Sequence, residues 1–213
     1  MKALSLLLAM FAADWRASFP VDKRDLGPTG RNPYFILEPG YKLHFAHGEE
    51  RSVVSVLAET KMIDGVETRV VEDREWKKDK LAEVTRDYYA IDRKTSDVYY
   101  FGEDVDVYKS GKVSGHKGSW LSGVNGAKFG LMMPGKPVAG DRFHQELAPK
   151  RKAVDRSEII AVNEKVTTPA GRFENCVHTK DSSTMDPTVD HKFYAPGVGL
   201  VKDAELELVR IEK

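Results

Sequence analysis

From Tyr41 to the C-terminus, short runs of β-branched and aromatic residues alternate with turn-forming residues at intervals of about ten to fifteen residues. No segment beyond the N-terminus has the i, i+3, i+4, i+7 apolar repeat of an amphipathic helix. The strongest hairpin signal is Asp64-Gly65, because both residues tolerate a positive φ. This pattern predicts an all-β fold, either a strongly curved antiparallel sheet or an open barrel.

The chain of 213 residues is long enough for one sizeable core. Residues 1–13 resemble a signal peptide, because one lysine precedes an apolar run that is too short to cross a bilayer. Residues 14–40 are rich in proline, glycine and charge and are interpreted as an extended leader, and residues 41–213 as a single β domain. We therefore expect an exported protein of the periplasm, cell envelope or extracellular space without a transmembrane span.

Charge and cysteine content exclude several classes of protein. The 33 basic and 33 acidic residues give no net charge, so a nucleic-acid partner has little electrostatic support. The single cysteine, Cys176, excludes an intramolecular disulfide. The six histidines lack the spacings typical of zinc sites.

The turn signals divide the chain into predicted strands. Five strands, from YKLHFAH to VYYFGEDVDVYK, are expected to form a meander. The glycine-rich residues 111–140 have no strand or helix period and are predicted to lie as a long segment against one end of the sheet. Four more strands are predicted after this segment.

The stretch YYFGEDVDVY places three acids between aromatic and β-branched residues. If Thr95 and Ser96 form a two-residue turn, Asp87 faces Asp104, and Asp106 lies on the same side of the sheet. Like charges in this arrangement repel by roughly 0.2–1 kcal/mol. Three explanations remain open: a solvated outer face, a Ca²⁺ or Mg²⁺ site formed by the three aspartates, or a pocket for an organic ligand.

The same register predicts which residues would bind an organic ligand. Asp87, Tyr89 and Tyr100 share the predicted face, and Trp120 in the glycine-rich segment is placed over the mouth of the pocket. A second hairpin that turns on Lys78-Asp79 would add further polar and aromatic side chains to this face.

An enzyme remains as an alternative. The acids Glu103 or Asp104, combined with His116 or His144, would form a hydrolase-type site if a histidine lay within hydrogen-bonding distance of an acid in a cleft. The register places Glu103 opposite Tyr88, on the more apolar side of the sheet, where pairing with a nearby arginine would be a purely structural role.

Two stretches resemble known proteins. DYYAIDRKTSDVYYFGEDVDVYKSGKV and GSWLSGVNGAKFGLMMPGKPVAGDRFHQE resemble a family of secreted bacterial proteins of uncharacterised function, with YFGEDV, GSW, GVNGA and MPG elements in this order. TTPAGRFENCVHTK and KFYAPGVGLVKD are similar to envelope proteins built on a curved antiparallel sheet, the half barrels of the lipoprotein carriers LolA and LolB. The resemblance implies an exported β protein with a concave face for an amphipathic ligand.

These observations favour a non-catalytic exported binding protein that holds a small organic or lipid-like ligand on a concave sheet face and requires no cofactor. Divalent-cation binding, by Ca²⁺ or Mg²⁺ at the clustered carboxylates, and hydrolase-type catalysis are the alternatives.

Overall fold

The computed structural model describes residues 14–184 and 187–213. The predicted signal-peptide-like segment, residues 1–13, lies outside the described residues. The strands are β1 (Leu26–Gly27), β2 (Gly30–Asn32), β3 (Phe35–Leu37), β4 (Lys42–His47), β5 (Glu50–Ile63), β6 (Val66–Lys77), β7 (Lys80–Asp92), β8 (Val98–Lys109), β9 (Lys112–Gly115), β10 (Trp120–Leu121), β11 (Lys128–Met133), β12 (Arg142–His144), β13 (Glu146–Leu147), β14 (Asp155–Thr168), β15 (Gly171–Ser183), β16 (Val189–Ala195), β17 (Gly199–Asp203) and β18 (Leu206–Glu212). Helical structure within the described residues is limited to two 3₁₀ turns, Lys23–Asp25 and Pro149–Arg151.

The all-β prediction is confirmed: thirteen strands form a nearly closed, barrel-shaped antiparallel sheet. Their order is β12-β14-β15-β16-β17-β18-β4-β5-β6-β7-β8-β11-β13, while β1 pairs with β7, and β9 and β10 pair with β8. The meander β4 to β8 follows the prediction. Its first long hairpin turns on Asp64 and Gly65, with φ angles of 49° and 77° and Ile63 paired with Val66.

The barrel is nearly closed by one bent segment. Strand β12 pairs with β14 and β13 pairs with β11, and only Gln145 separates β12 from β13. The Gln145 amide donates to the Asp155 carbonyl at 2.8 Å, so the chain leaves β14 at this residue and joins β11 on the opposite edge. A continuous ladder of this kind protects both sheet edges.

A short hairpin, β2–β3, covers one end of the barrel. Phe35 and Ile36 of β3 face the interior, and Leu37 is fully buried. Asn32, also fully buried, donates from its side-chain amide to the carbonyls of Ser96 and Pro134 at 2.8 and 3.0 Å. These contacts tie the hairpin to loops at this end, so one end of the lumen is apolar and covered.

Several segments contain more strands than predicted. Residues 14–40, interpreted from the sequence as an extended leader, carry β1, β2 and β3. The glycine-rich residues 111–140 carry β9, β10 and β11. The run HKFYAPGVGLVKD, predicted as one strand, forms β16 and β17, because Pro196-Gly197 turns the chain between them.

Candidate functional site

The hairpin between β7 and β8 fixes which acids face the lumen, and its register differs from the prediction. The turn is not a two-residue reversal at Thr95 and Ser96: residues 93–97 form the loop, and Ile91 pairs with Val98. Asp92 stabilises this longer turn, because its carboxylate accepts hydrogen bonds from the backbone amides of Lys94 and Thr95 at 2.7 and 3.2 Å.

A bulge at Gly102 then shifts the register again. Tyr89 pairs with Tyr100, but Asp87 pairs with Glu103, so β8 has one residue more than β7 between these pairs. Gly102 has a φ of 132°, and a Cβ atom there would lie 2.3 Å from the Trp120 carbonyl oxygen. Only glycine therefore permits both the bulge and the close pairing of β10, which places Trp120 beside Glu103.

The prediction that Asp87 lies beside Asp104 is wrong. Asp104 pairs with Arg86 and Asp106 with Val84, on the face opposite to that of Asp87 and Glu103. A one-residue slip moves every side chain beyond it to the other face. Asp87, Asp104 and Asp106 consequently do not form a common metal site, and within residues 14–184 and 187–213 no group of three or more His, Cys, Asp or Glu side chains is arranged to hold a metal ion.

A similar register shift occurs in the hairpin between β6 and β7. Lys78 and Asp79 form the predicted turn and Lys77 pairs with Lys80, but the register shifts between Glu75 and Trp76. As a result Asp73 and Glu75 share the inner face with Asp87, whereas Glu72 and Arg74 lie outside.

The predicted ligand residues Asp87, Tyr89 and Tyr100 do come together inside the barrel. The Tyr89 and Tyr100 rings stack with centroids 4.8 Å apart, and the Tyr100 hydroxyl donates to Asp87 Oδ1 at 2.5 Å. Trp120 is buried, packs edge-on against Tyr100 at 5.4 Å and donates from Nε1 to Glu146 Oε1 at 3.3 Å. Its position is in the wall rather than over the mouth.

The inner wall holds carboxyl groups with raised pKa values. Burial raises the pKa of Asp87 well above its ordinary value, and the nearby Glu103 charge raises it further. Burial and the Glu146 charge raise the pKa of Glu103 to about 8, and burial and the Asp155 charge raise the pKa of Glu146 to about 8. These three acids form one electrostatically connected row.

The row continues on the neighbouring strands. Burial raises the pKa of Asp73 and of Asp181, and burial together with the Asp73 charge raises the pKa of Glu75 to about 7. Burial by itself would lower the pKa of Lys192, but the surrounding carboxylates, Asp203 first among them, raise it well above its ordinary value. Lys192 Nζ lies 2.9 Å from Asp203 Oδ2.

Two adjoining cavities occupy the lumen and share Asp87, Tyr89, Met132 and Lys192 in their walls. One has a volume of about 170 Å³ and lies at the end covered by β2–β3. Its wall is mainly apolar, formed by Phe35, Ile36, Tyr41, Leu43, Val54, Val56, Val71, Tyr194, Val198 and Leu200, and it also includes Asp73, Asp87, Lys192 and Asp203. The other has a volume of about 740 Å³ and a polar wall containing Glu146, Asp155, Asp181, Asp190, Lys117 and Lys152. The lumen thus has an apolar end and an acidic end.

The residues of the predicted enzyme site are dispersed. His116 Nδ1 lies 2.9 Å from Asp106 Oδ1 on the outer face, and His144 packs against the Trp15 ring at 6.2 Å. Across the described residues, neither histidine makes a hydrogen bond to Glu103 or Asp104. The arrangement that the hydrolase alternative required is therefore not formed by these four residues.

Sequence reasoning missed four of the lumen residues: Asp73, Glu146, Asp181 and Lys192. The alternation Asp190, Lys192, Tyr194 in β16 was a usable signal, because these residues share the inner face with Asp181 and Val177 of β15. Glu146 gave no such signal, since it follows the bend at Gln145.

Within the described residues, no helix has the length and apolar character needed to cross a membrane. No family model matches the chain, and no curated protein matches it either. A crystal structure of a candidate lipoprotein from Parabacteroides distasonis is similar to this chain, with 12% sequence identity and a TM-score of 0.39 over 86% of this chain and 100% of that one.

Proposed function

We propose that this protein is a non-catalytic binding protein whose barrel lumen holds a small organic ligand. The supporting observation is the pair of adjoining cavities, one apolar and covered at its end, the other polar. Ligand sites are typically concave and mainly apolar, with a few polar groups that fix the orientation of the ligand. An apolar cavity of about 150 Å³ can bind a benzene-sized molecule, so the smaller cavity is large enough for a ring or a short chain.

The buried acids support the same proposal. Burying several carboxyl groups near one another opposes folding, because each charged form loses its hydration and repels its neighbours. Perturbed pKa values of this kind concentrate at functional sites. In this protein the acids with raised pKa values lie around the lumen and do not form a well-paired structural network of ion pairs.

Native mass spectrometry of the full chain purified from its own host tests the proposal. We expect an additional organic mass that is lost on denaturation. Leu200→Trp, which places an indole in the apolar cavity, should abolish retention of this mass. Ile160→Trp is the matched control, because Ile160 of β14 is 40% exposed and does not line the lumen. A wild-type protein that retains no organic mass, or a Leu200→Trp protein that retains it as well as the control does, would contradict the proposal.

The proposal includes an exported location, which depends on the composition of residues 1–13. Cell fractionation of the host with an antibody against the β domain tests it. Recovery of the chain in the cytoplasmic fraction would contradict export and leave the binding proposal intact.

A further inference from the structure

The boundary between the two cavities is acidic and short of counter-ions. Asp87 lines both cavities, and Glu146 and Asp181 line the polar one. The hydrogen-bond donors that reach Asp87 and Glu146 are neutral: the Tyr100 hydroxyl for Asp87, and the Trp120 indole and the Asp155 backbone amide for Glu146. Neutral donors stabilise a carboxylate less than a cation does.

Lys192 does not neutralise this group. Its ammonium pairs with Asp203 at 2.9 Å, and Asp73, Asp87 and Asp181 all lie close enough for its charge to affect their pKa values. The other two lysines of the polar cavity, Lys117 and Lys152, are exposed. One partly buried ammonium is therefore shared among at least four carboxyl groups.

Asp181 gives a separate indication of a missing partner. Its side chain is 9% exposed and lines the polar cavity, yet its Oδ1 atom has no hydrogen-bond partner of good geometry within residues 14–184 and 187–213. The hydroxyls of Ser157 and Thr179 lie close enough to lower the pKa of Asp181, but their oxygen atoms also lack a well-formed hydrogen bond. Buried polar atoms are normally hydrogen-bonded, so this carboxylate oxygen at the cavity wall is placed to accept a hydrogen bond from a bound molecule.

The spacing of these groups favours an organic cation over a metal ion. A divalent ion needs several oxygen ligands within about 2.5 Å, whereas the described residues contain no cluster of three carboxylates, histidines or cysteines suited to one. An organic ammonium can instead donate to separated carboxylates. Its apolar part would then enter the adjoining cavity lined by Phe35, Leu43 and Val71.

We propose, resting on the proposed function above, that the ligand is a small protonated amine attached to an apolar ring or short chain. Its ammonium lies at the boundary of the two cavities and faces Asp87, Glu146 and Asp181. Its apolar part occupies the cavity covered by β2–β3.

Proton release provides a readout specific to this proposal. Glu146 has a pKa of about 8, raised first by burial and then by the charge of Asp155, and Asp87 titrates well above its ordinary range. Glu146 therefore binds a proton at neutral pH, and an arriving ammonium favours the ionised forms of both acids. Binding of an amine should therefore release protons and strengthen as the pH rises from about 6 to about 8.

Isothermal titration of the full chain with benzylamine, benzyl alcohol and benzoate tests the proposal, since the three probes share a ring and differ in charge. We expect benzylamine to bind at least about tenfold more tightly than benzyl alcohol, equivalent to about 1.4 kcal/mol, and benzoate to bind most weakly. Titrations in two buffers of different ionisation enthalpy should show proton release for benzylamine alone.

The double variant Asp87→Asn/Glu146→Gln should lose both the preference and the proton release while retaining benzyl alcohol binding, which verifies that the lumen is intact. Asp104→Asn is the matched control, because it removes an aspartate from the outer face of β8 and should change neither quantity.

Equal binding of benzylamine and benzyl alcohol, tighter binding of benzoate, or a double variant that keeps the preference would overturn the cationic ligand and leave lumen binding standing. Failure of benzylamine to bind a protein that retains a host-derived organic mass would also overturn it. Failure of all three probes together with no retained mass would overturn the proposed function itself.

Discussion

The two faces of strands β7 and β8 carry similar acids in opposite electrostatic states. On the outer face, Asp104 Oδ2 lies 2.8 Å from Lys61 Nζ, and the Tyr88 hydroxyl donates to the same oxygen at 2.5 Å. Burial by itself would raise the pKa of Asp104, but these hydrogen bonds lower it. On the inner face, burial and neighbouring acids raise the pKa of Glu103, the preceding residue, to about 8.

Glu72, also on the outer face, is a buried acid whose pKa is lowered by cation partners. Its side chain is 9% exposed, but Arg74 Nε and Arg86 Nε donate to its two carboxylate oxygens at 2.6 and 3.1 Å. Burial raises its pKa, and the two arginines reverse the shift. Cation partners, and not burial alone, thus distinguish the two faces. We expect the outer acids to contribute to stability, whereas the inner acids are the groups that the proposed ligand would face.

The bulge that separates the two faces gives the largest expected effect. Gly102→Ala introduces a Cβ atom 2.3 Å from the Trp120 carbonyl oxygen at a φ of 132°. We expect the free energy of unfolding to fall by about 3 kcal/mol or more, combining backbone strain with a displaced β10. Urea denaturation measures it. Gly115→Ala is the control, since Gly115 has no positive φ and a Cβ atom there would meet nothing within 4 Å, and it should change stability by less than ~0.5 kcal/mol. Equal stability of the two variants would mean that the bulge does not fix the register.

This bulge also separates what could be predicted from the sequence from what could not. The all-β fold and the turn at Asp64-Gly65 followed from periodicity and turn chemistry, which are local properties. Asp87, Tyr89 and Tyr100 were predicted to share one face and do line the same cavity, although the predicted register was wrong, and their role in binding stays a prediction. Asp104 was assigned to the wrong face because Gly102 inserts one residue, whereas the longer turn at Asp92 shifts the register by two residues and leaves the faces unchanged.

The rest of the site depends on closure of the barrel. Glu146 and Asp181 reach Asp87 only because strands distant in sequence meet across the lumen, and pairing of distant strands has no signature in a single sequence. The glycines of residues 111–140 indicated irregular backbone, yet several permit strand pairing at close approach, as Gly130 does against the Gln145 carbonyl.

Neutralising one acid on each face should give opposite results. Glu72→Gln leaves Arg74 and Arg86 without their shared anion, and we expect a loss of about 1–3 kcal/mol in the free energy of unfolding, reduced by the partial exposure of both arginines. Glu103→Gln removes a carboxyl that burial and neighbouring acids disfavour, and it should be neutral or stabilising near pH 8. Urea denaturation of both variants at this pH makes the comparison. A loss of similar size in both would mean that Glu103 is as well paired as Glu72.

The pH dependence of stability should also differ between acids of the inner face and acids of the outer face. Glu146 has an ordinary pKa of 4.5 and a folded-state pKa of about 8, so the folded protein binds its proton more tightly than the unfolded chain does. Its contribution is complete below about pH 4.5 and is lost as the pH rises through about 8. Glu146→Gln should therefore flatten the decline of stability over this interval, by roughly 3–5 kcal/mol, since a tenfold difference in proton affinity corresponds to about 1.4 kcal/mol.

The contribution of Asp104 to stability should depend on pH in the opposite direction to that of Glu146. Its folded-state pKa is lowered, so its contribution is present at neutral pH and disappears as the pH falls. Asp104→Asn should lower stability by a constant amount at neutral and alkaline pH, leave the alkaline decline unchanged, and lose its effect only in acid. Melting curves recorded from about pH 2 to about pH 9 distinguish the two variants, and an unchanged alkaline decline in Glu146→Gln would contradict the assignment of a raised pKa to this residue.

The smallest expected effect tests whether the outer ion pairs are merely structural. Lys61 Nζ contacts Asp104 and lies 4.3 Å from the centroid of the Tyr88 ring, but the side chains of Lys61 and Asp104 are 38% and 53% exposed. Solvent screens such a pair, so Lys61→Met should cost no more than about 1 kcal/mol of unfolding free energy. Lys80→Met, at an exposed position beside the β6–β7 turn, serves as the control for loss of one positive charge. Because Lys61 does not line the lumen, benzylamine should bind both variants with wild-type affinity, and a weakened affinity in Lys61→Met alone would show that the two faces are electrostatically coupled through the sheet.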